Sequence, residues 1–128
     1  MRNALPLVLI LTVALPGMVF GDAAAVKDRA RSGSFDSTGE VRCAQEIGQS
    51  LGACSAAVAR TDGSAAIVVT FTNGFARTLL FSDGEFLRGN ATMSGAGTDT
   101  DWQLSHGIYH VRVDDQRYEI PDALVNGD

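Results

Sequence analysis

The chain has 128 residues, with 15 acidic and 10 basic side chains and a formal net charge of −5 at pH 7. This length accommodates one modest domain and excludes a multidomain enzyme. The basic residues are scattered along the chain, and only one of them is a lysine. Because the net field repels polyanions, nucleic acid and an anionic membrane surface are poor partners.

An apolar run at residues 5–20 is interrupted near its end by Pro16. A positive start, an apolar centre and small residues in this order are typical of a secretory signal peptide, here residues 1–21, with cleavage after Gly21 or within residues 21–25. The run is shorter than the roughly 20 residues of a membrane-crossing helix, so we expect no stable membrane anchor after cleavage. The sequence therefore predicts a periplasmic or secreted protein.

Cys43 and Cys54 are the two cysteines of the chain. An even number of cysteines in an exported protein favours one structural disulfide, which here would stabilise the fold by about 3 kcal/mol. A redox-active pair and a metal site are the alternatives. The spacing does not match the Cys-x-x-Cys pattern of redox centres, and two thiolates without nearby histidines do not complete a zinc site.

The domain organisation follows from a change in pattern along the chain. Residues 22–38 combine small and charged side chains with little apolar periodicity, which predicts a flexible lead-in. Residues 39–125 are predicted to form a single small β-rich domain with one disulfide. Within the disulfide loop, residues 44–51 have the composition of a short helix weakened by glycine.

A hairpin is the best local structural signal. Two runs rich in β-branched and aromatic residues, 65–72 and 75–82, flank Asn73-Gly74. Asn-Gly favours a two-residue type I′ turn, which would place Ile67 opposite Leu80. In the same register Val68 faces Leu79, so both faces of the hairpin are partly apolar and we expect both to be covered.

Further strands follow towards the C-terminus. Residues 107–113 and 116–120 flank a tight turn, and alternation predicts that Tyr109, Val111 and Val113 point inward. About five to seven short strands joined by glycine-containing turns predict a mostly β fold. We expect a small antiparallel sheet, rolled into a barrel or a compact sandwich, with at most one or two short helices.

The residues suggest no catalytic centre and no cofactor. Gly48-x-Ser50-x-Gly52 has the spacing of a nucleophile elbow, but an elbow also needs a strand before the serine and a helix after it. The short helix predicted at residues 44–51 does not provide that context. On a strand, His106 and His110 would lie about 13 Å apart, too far to share a metal ion. We therefore predict that the protein is not an enzyme, with an unrecognised hydrolase as an alternative.

The loop at residues 94–101 supports a second hypothesis. Asp99 and Asp101 alternate with threonines after two glycines, and calcium binds such carboxylate oxygens. Calcium sites usually also contain a bidentate glutamate, which this loop lacks. The small-ligand or calcium-binding alternative therefore depends on Asp99 and Asp101 alone.

A binding surface is the leading functional hypothesis. Four aromatic residues are candidates for lining a shallow groove, because aromatic side chains offer a large contact area at a small entropic cost. They are Phe86, Trp102, Tyr109 and Tyr118. The sequence thus predicts a non-enzymatic binding or accessory module for an envelope protein or a cell-wall component.

Several short motifs carry a resemblance to known proteins. They are Phe35-Asp36-x-x-Gly39, Cys43-Ala44-Gln45 with Gly52-x-Cys54, Val58-Ala59-Arg60, the arm at 74–84 ending in Phe81-x-x-Gly84, and Arg117-Tyr118-Glu119-Ile120-Pro121-Asp122-Ala123. Over residues 35–125 the chain resembles a group of uncharacterised small exported proteins of alphaproteobacterial type. The resemblance implies export and a shared fold, and it transfers no activity.

Periplasmic lysozyme inhibitors are a second comparison, since they are small disulfide-bonded β-barrels with a Ser-Gly-x-x-Tyr loop. Ser94-Gly95 in this chain is not followed by that tyrosine. An inhibitor of a cell-wall hydrolase remains an alternative function, supported only by size and compartment.

Overall fold

The computed structural model describes residues 18–90 and 99–127. Within these residues the fold consists of one N-terminal helix, eight strands and one short C-terminal helix. The elements are α1 (Met18–Arg31), β1 (Ser37–Ala44), β2 (Gly52–Thr61), β3 (Ser64–Thr70), β4 (Ala76–Ser82), β5 (Glu85–Gly89), β6 (Thr100–Ser105), β7 (Ile108–Val113), β8 (Gln116–Pro121) and α2 (Asp122–Asn126). The predicted mostly β fold is confirmed, with one strand more than the expected range.

The eight strands form one antiparallel sheet in the order β5-β4-β3-β2-β1-β8-β7-β6. Strands β1 to β5 pair in sequence order, and so do β6 to β8, while β1 and β8 pair to join these two groups. The sheet curls into a nearly closed barrel in which the two end strands, β5 and β6, approach each other. Within the described residues, no ladder joins these two strands.

Alternation along the C-terminal strands matches the expectation. Tyr109, Val111 and Val113 on β7 are buried, and so are Tyr118 and Ile120 on β8. These side chains belong to the main core, which fills the inside of the barrel. The period-two pattern of the sequence therefore identified the inward face of β7.

The β3–β4 hairpin differs from the prediction by one residue. Ile67 lies opposite Leu79 and Val68 opposite Thr78. The loop has three residues rather than two, because the amide of Phe71 donates to the carbonyl of Phe75 and the amide of Gly74 donates to Phe71. Within this loop, Gly74 is the one residue with a positive φ, of 92°. Such a turn with one left-handed glycine is the three-residue alternative to the two-residue type I′ turn.

Backbone geometry with two successive positive φ angles occurs at two other turns. Asp83 and Gly84 have φ values of 54° and 80°, and His106 and Gly107 have values of 54° and 77°. Each pair joins two strands through a two-residue loop. The backbone geometry predicted for Asn73-Gly74 is therefore found in the β4–β5 and β6–β7 hairpins instead.

The sequence did not predict β1 and β2, which form the middle of the sheet. Strand β2 contains four alanines, a residue with low strand propensity, so its composition hides its conformation. The predicted disulfide is present: Cys43 and Cys54 are bonded across these two strands, with Cα atoms 6.0 Å apart. Residues 45–51 form bends and turns rather than the expected helix.

Helix α1 covers part of the outer surface of the barrel. Its side chains Val26 and Ala30 pack with Ala66 and Leu80 in a second apolar cluster, outside the main core. Val26 is fully buried. We expected a flexible lead-in at residues 22–38. This segment instead contains residues 22–31 of α1 and the first two residues of β1. The outward apolar side chains of the β3–β4 hairpin require such a cover.

Candidate functional site

The four aromatic residues predicted to line a groove lie in different environments. Phe86, Tyr109 and Tyr118 are buried in the core, whereas 36% of Trp102 is exposed. Three of the four therefore do not form a surface groove, because the barrel needs their bulk in its interior. Only Trp102 presents a substantial aromatic surface to solvent.

Three of these residues nevertheless belong to one row of rings. The ring of Phe86 lies 5.5 Å from Phe81, Phe81 lies 4.9 Å from Tyr109, and Tyr109 lies 6.0 Å from Trp102. These separations are typical of favourable aromatic pairs. The row connects the interior of the barrel to the exposed ring of Trp102. Tyr118 lies elsewhere and packs against Phe71 at 5.7 Å.

Contacts between β5 and β7 close the barrel. The hydroxyl of Tyr109 donates to the carbonyl of Gly84 at 2.7 Å. Burial raises the pKa of Tyr109, so the phenol keeps the proton that it donates. At the other end of β5, a Cβ on Gly89 would lie only 3.3 Å from the Val113 side chain. Strand β5 therefore rests closely against the inner side of β7.

Strand β6 carries exposed apolar side chains on the face that is buried elsewhere in the barrel. Trp102 pairs with Val111 and Leu104 pairs with Tyr109, so both face inward. Yet 36% of Trp102 and 44% of Leu104 are exposed. We call this strand, with Trp102 and Leu104, the open edge. The sequence analysis missed Leu104, although its spacing of two residues from Trp102 places both on one face.

The two aspartates of the calcium hypothesis have other partners. Asp99 forms an ion pair with Arg112 at 3.3 Å, and the Asp101 carboxylate accepts the Trp102 amide at 2.9 Å. Residues 94–98 of the predicted loop lie outside the described residues. Among the residues that the structure describes, no three potential ligands are grouped closely enough to hold a metal ion.

A cleft of about 370 Å³ lies on the outer face of β6, β7 and β8. We call it the outer cleft. Its lining combines apolar surface from Trp102, Val111 and Tyr118 with the polar residues Asp101, Gln103, His110, Arg112, Arg117 and Glu119. Leu51, at the end of the disulfide loop, contributes an apolar side to the cleft. The volume matches that of small-molecule sites.

Charged side chains of the outer cleft are arranged in two rows across the strands. In one row, His110 lies opposite Glu119, with 3.7 Å between Nδ1 and Oε2. In the other, Arg112 lies directly opposite Arg117. Asp99 raises the pKa of Arg112 through its hydrogen bond, which keeps this guanidinium charged. The sequence analysis did not propose either arginine as a site residue, although the predicted turn between residues 113 and 116 already implies that they pair.

His106 and His110 are separated by the hairpin geometry. His106 is in the β6–β7 turn with a positive φ, and His110 is on the outer face of β7 beside Glu119. This arrangement does not place the two imidazoles in one site.

Comparison with known proteins adds no assignment: no protein-family model, curated protein or solved structure matches the chain. In the part of the chain that the structure describes, neither helix has the length and hydropathy required to cross a bilayer.

Proposed function

We propose that the protein is a non-enzymatic binding module of the periplasm or the extracellular space, which binds an extended segment of a partner protein along the open edge. The observation that carries this proposal is the exposure of Trp102 and Leu104 on the inward face of β6. Apolar side chains in this position gain free energy when a partner covers them.

The backbone of β6 supports the same proposal. Ser105 and Ile108 flank a two-residue loop and therefore form a hydrogen-bonded pair. Trp102 and Leu104 consequently belong to non-hydrogen-bonded pairs, whose amides and carbonyls point away from β7. An extended peptide added to this edge would bind those groups, as in other cases of strand addition.

Asp101 affects which partners the open edge accepts. Its carboxylate accepts a hydrogen bond from the Trp102 amide. A charged side chain on an edge strand protects it from pairing with unrelated strands. A partner strand must displace this contact. A lysine or arginine in the partner would then compensate the Asp101 charge, so we expect basic residues beside apolar ones in the bound segment.

Export is the second part of the proposal. The Cys43–Cys54 disulfide is consistent with an oxidising compartment. The apolar run at residues 5–20 has the pattern of a secretory signal. Both features support a periplasmic or secreted location, where a partner would be an envelope protein.

A displayed library of random peptides would test the binding function. We expect wild-type protein to enrich peptides with alternating apolar residues and at least one basic residue. Binding of a synthetic selected peptide should shift the fluorescence of Trp102, the one tryptophan of the chain, to shorter wavelength. Methylation of alternate peptide nitrogens should abolish binding if the backbone takes part.

The matched variants are Trp102→Ala with Leu104→Ser, and Ile47→Ser as a control. Ile47 is an apolar residue with 79% exposure that lies on the disulfide loop, outside the open edge. The double variant should lose the selected peptides and the Ile47 variant should retain them. Enrichment of no peptide, or equal binding by the double variant, would refute the proposal.

A further inference from the structure

We propose that the outer cleft binds a small monocarboxylate whose remaining part is neutral or positively charged, such as a free α-amino acid. The outer cleft and the open edge share Trp102, but the proposed anchor, Arg117, lies on the outer face of β8, whereas Trp102 and Leu104 face inward on β6. The inference therefore does not depend on the proposed peptide-binding function.

The pairing of Arg112 with Arg117 is the first observation. Like charges directly opposite each other on neighbouring strands destabilise a sheet unless a negative group compensates them. Asp99 pairs with Arg112, but among the described residues no carboxylate lies within ion-pair distance of Arg117. Arg117 is thus the positive group of the outer cleft that a bound anion would neutralise.

Both guanidinium groups are held in place by neighbouring backbone. Arg112 donates to the carbonyl of Asp114 at 3.0 Å. One nitrogen of Arg117, Nη2, donates to the carbonyl of Gln49 in the disulfide loop. A positioned guanidinium loses little entropy when it binds a carboxylate through its remaining donors. The disulfide loop therefore takes part in shaping this site.

Acidic residues of the outer cleft limit the charge of the ligand. Asp101 and Glu119 line the same cleft as Arg117. Arg42 and His110 both lie close to the Glu119 carboxylate, at 3.6 and 3.7 Å. A second negative charge on the ligand would meet Asp101 and Glu119, whereas an ammonium group would be attracted to them. These charges favour an amino acid over a dicarboxylate or phosphate.

The test is a titration of the complete mature protein, followed by nuclear magnetic resonance of the arginine side-chain amides. The probes are alanine, propionate, succinate and inorganic phosphate, each added separately at constant ionic strength. We expect a saturable shift of the Arg117 Nε signal with alanine and with propionate. Succinate and phosphate should bind at least about tenfold more weakly, since each carries the second charge.

Arg117→Gln is the test variant, and Arg88→Gln is the matched control. Arg88 is an exposed arginine on β5, so its replacement removes the same charge outside the cleft. The Arg117 variant should weaken alanine binding by about tenfold or more, and the control should not. For the variants, the shifts are read at the backbone amides of β7 and β8.

Three results would overturn the inference. One is the absence of a saturable shift with alanine and propionate in the folded wild-type protein. Another is equal binding by the Arg117 variant, which would mean that the guanidinium is not the anchor. The third is tighter binding of phosphate than of alanine, because the acidic residues would then not select the ligand. Loss of peptide binding at the open edge with retained alanine binding would affect only the proposed function.

Discussion

Arg77 Nε donates a hydrogen bond to Gln116 Oε1 at 2.7 Å, and the hydroxyl of Tyr118 donates to the same oxygen at 2.8 Å. Arg77 is only 2% exposed. Its Nη1 donates to the carbonyl of Asn90 at 2.6 Å, and the guanidinium lies 5.6 Å from the ring centre of Phe75. A buried charge thus joins β4, β8 and the end of β5 through neutral acceptors, which replace part of its lost hydration.

Replacing Arg77 should therefore destabilise the barrel. Arg77→Ala removes the donor to Gln116 and Asn90 and leaves a cavity, so we expect a loss of about 3 kcal/mol in the free energy of unfolding. Urea denaturation followed by circular dichroism measures this change. Arg88→Ala, at an exposed position of β5, should change stability by less than about 0.5 kcal/mol. Similar effects of both variants would contradict the structural role of Arg77.

The two tyrosines should titrate abnormally. Burial raises the pKa of Tyr118 well above its ordinary value, with Arg77 opposing the shift, and burial also raises the pKa of Tyr109. The raised values favour the neutral phenols in the folded state. Their contribution to stability is complete below the unfolded pKa of about 10 and is lost as pH rises towards the folded values.

Phenolate absorbance against pH provides the measurement. We expect little phenolate at pH values near 10 in the folded protein, and ordinary titration of both tyrosines in denaturant. Because the chain has only two tyrosines, the signal is simple to assign with Tyr118→Phe. Ordinary titration while circular dichroism still reports a native barrel would contradict the prediction.

The disulfide should contribute to stability without being required for the topology. Cys43 and Cys54 lie diagonally across the paired strands β1 and β2, where Cys43 is directly opposite Gly52, so the bond connects strands that already pair. Replacing both by Ala should lower the free energy of unfolding by about 3 kcal/mol in the chain-entropy estimate. A reductant should destabilise the wild type and leave the double variant unchanged. Equal stability of both proteins under oxidising conditions would contradict this expectation.

Helix α1 should be part of the folded domain. Ala23, Val26 and Ala30 are buried, with the spacing of one helical face. Val26→Asp places a charge against the barrel, and we expect a loss of about 3 kcal/mol in stability. Ala24→Asp, at an exposed position of the same helix, is the control. A loss for Val26→Asp no larger than the loss for Ala24→Asp would show that α1 does not dock.

The same helix distinguishes between the proposed signal cleavage sites. Cleavage after Gly21 retains Ala23, whereas cleavage after Ala25 removes it. Since Ala23 is buried in the folded chain, we expect the mature protein to begin at Asp22. Mass spectrometry of exported protein tests this expectation, and a mature chain that begins at Val26 would contradict it.

Asp36 should contribute to stability in a pH-dependent way. Hydrogen bonds from the Arg29 side chain at 3.0 Å and from the Arg60 amide at 2.7 Å lower the pKa of Asp36. A lowered carboxyl pKa stabilises the folded state above the unfolded value of about 3.9, and this contribution is lost as pH falls towards the lower folded value.

The variant Asp36→Asn should therefore lose less stability than the wild type when the pH is lowered through this range. Urea denaturation at a series of acidic pH values measures the difference. Glu40→Gln, at an exposed position of β1, should retain the wild-type dependence. Parallel pH profiles for wild type and Asp36→Asn would show that the hydrogen-bonded carboxylate contributes nothing to folding.

Local patterns determined much of the barrel. Alternation identified the inward residues of β7, such as Tyr109 and Val111, because neighbouring strand residues point to opposite faces. Composition was less informative for β2, whose alanines lie in the centre of the sheet. Asn73-Gly74 located a turn correctly, but two turn types are compatible with that pair, and the register differs by one residue between them.

The sequence by itself determined the β class and the cysteine pairing, because strand alternation and an even pair of cysteines are properties of short or unique segments. Tertiary structure alone decided that Trp102 and Leu104 on β6 remain exposed. Their exposure depends on the closure of the barrel, in which β5 packs against β7. Tertiary structure also decided that, among the described residues, no carboxylate forms an ion pair with Arg117. Both relationships arise from pairing and closure, and solvent exposure at a given residue depends on the whole sheet rather than on its neighbours in the chain.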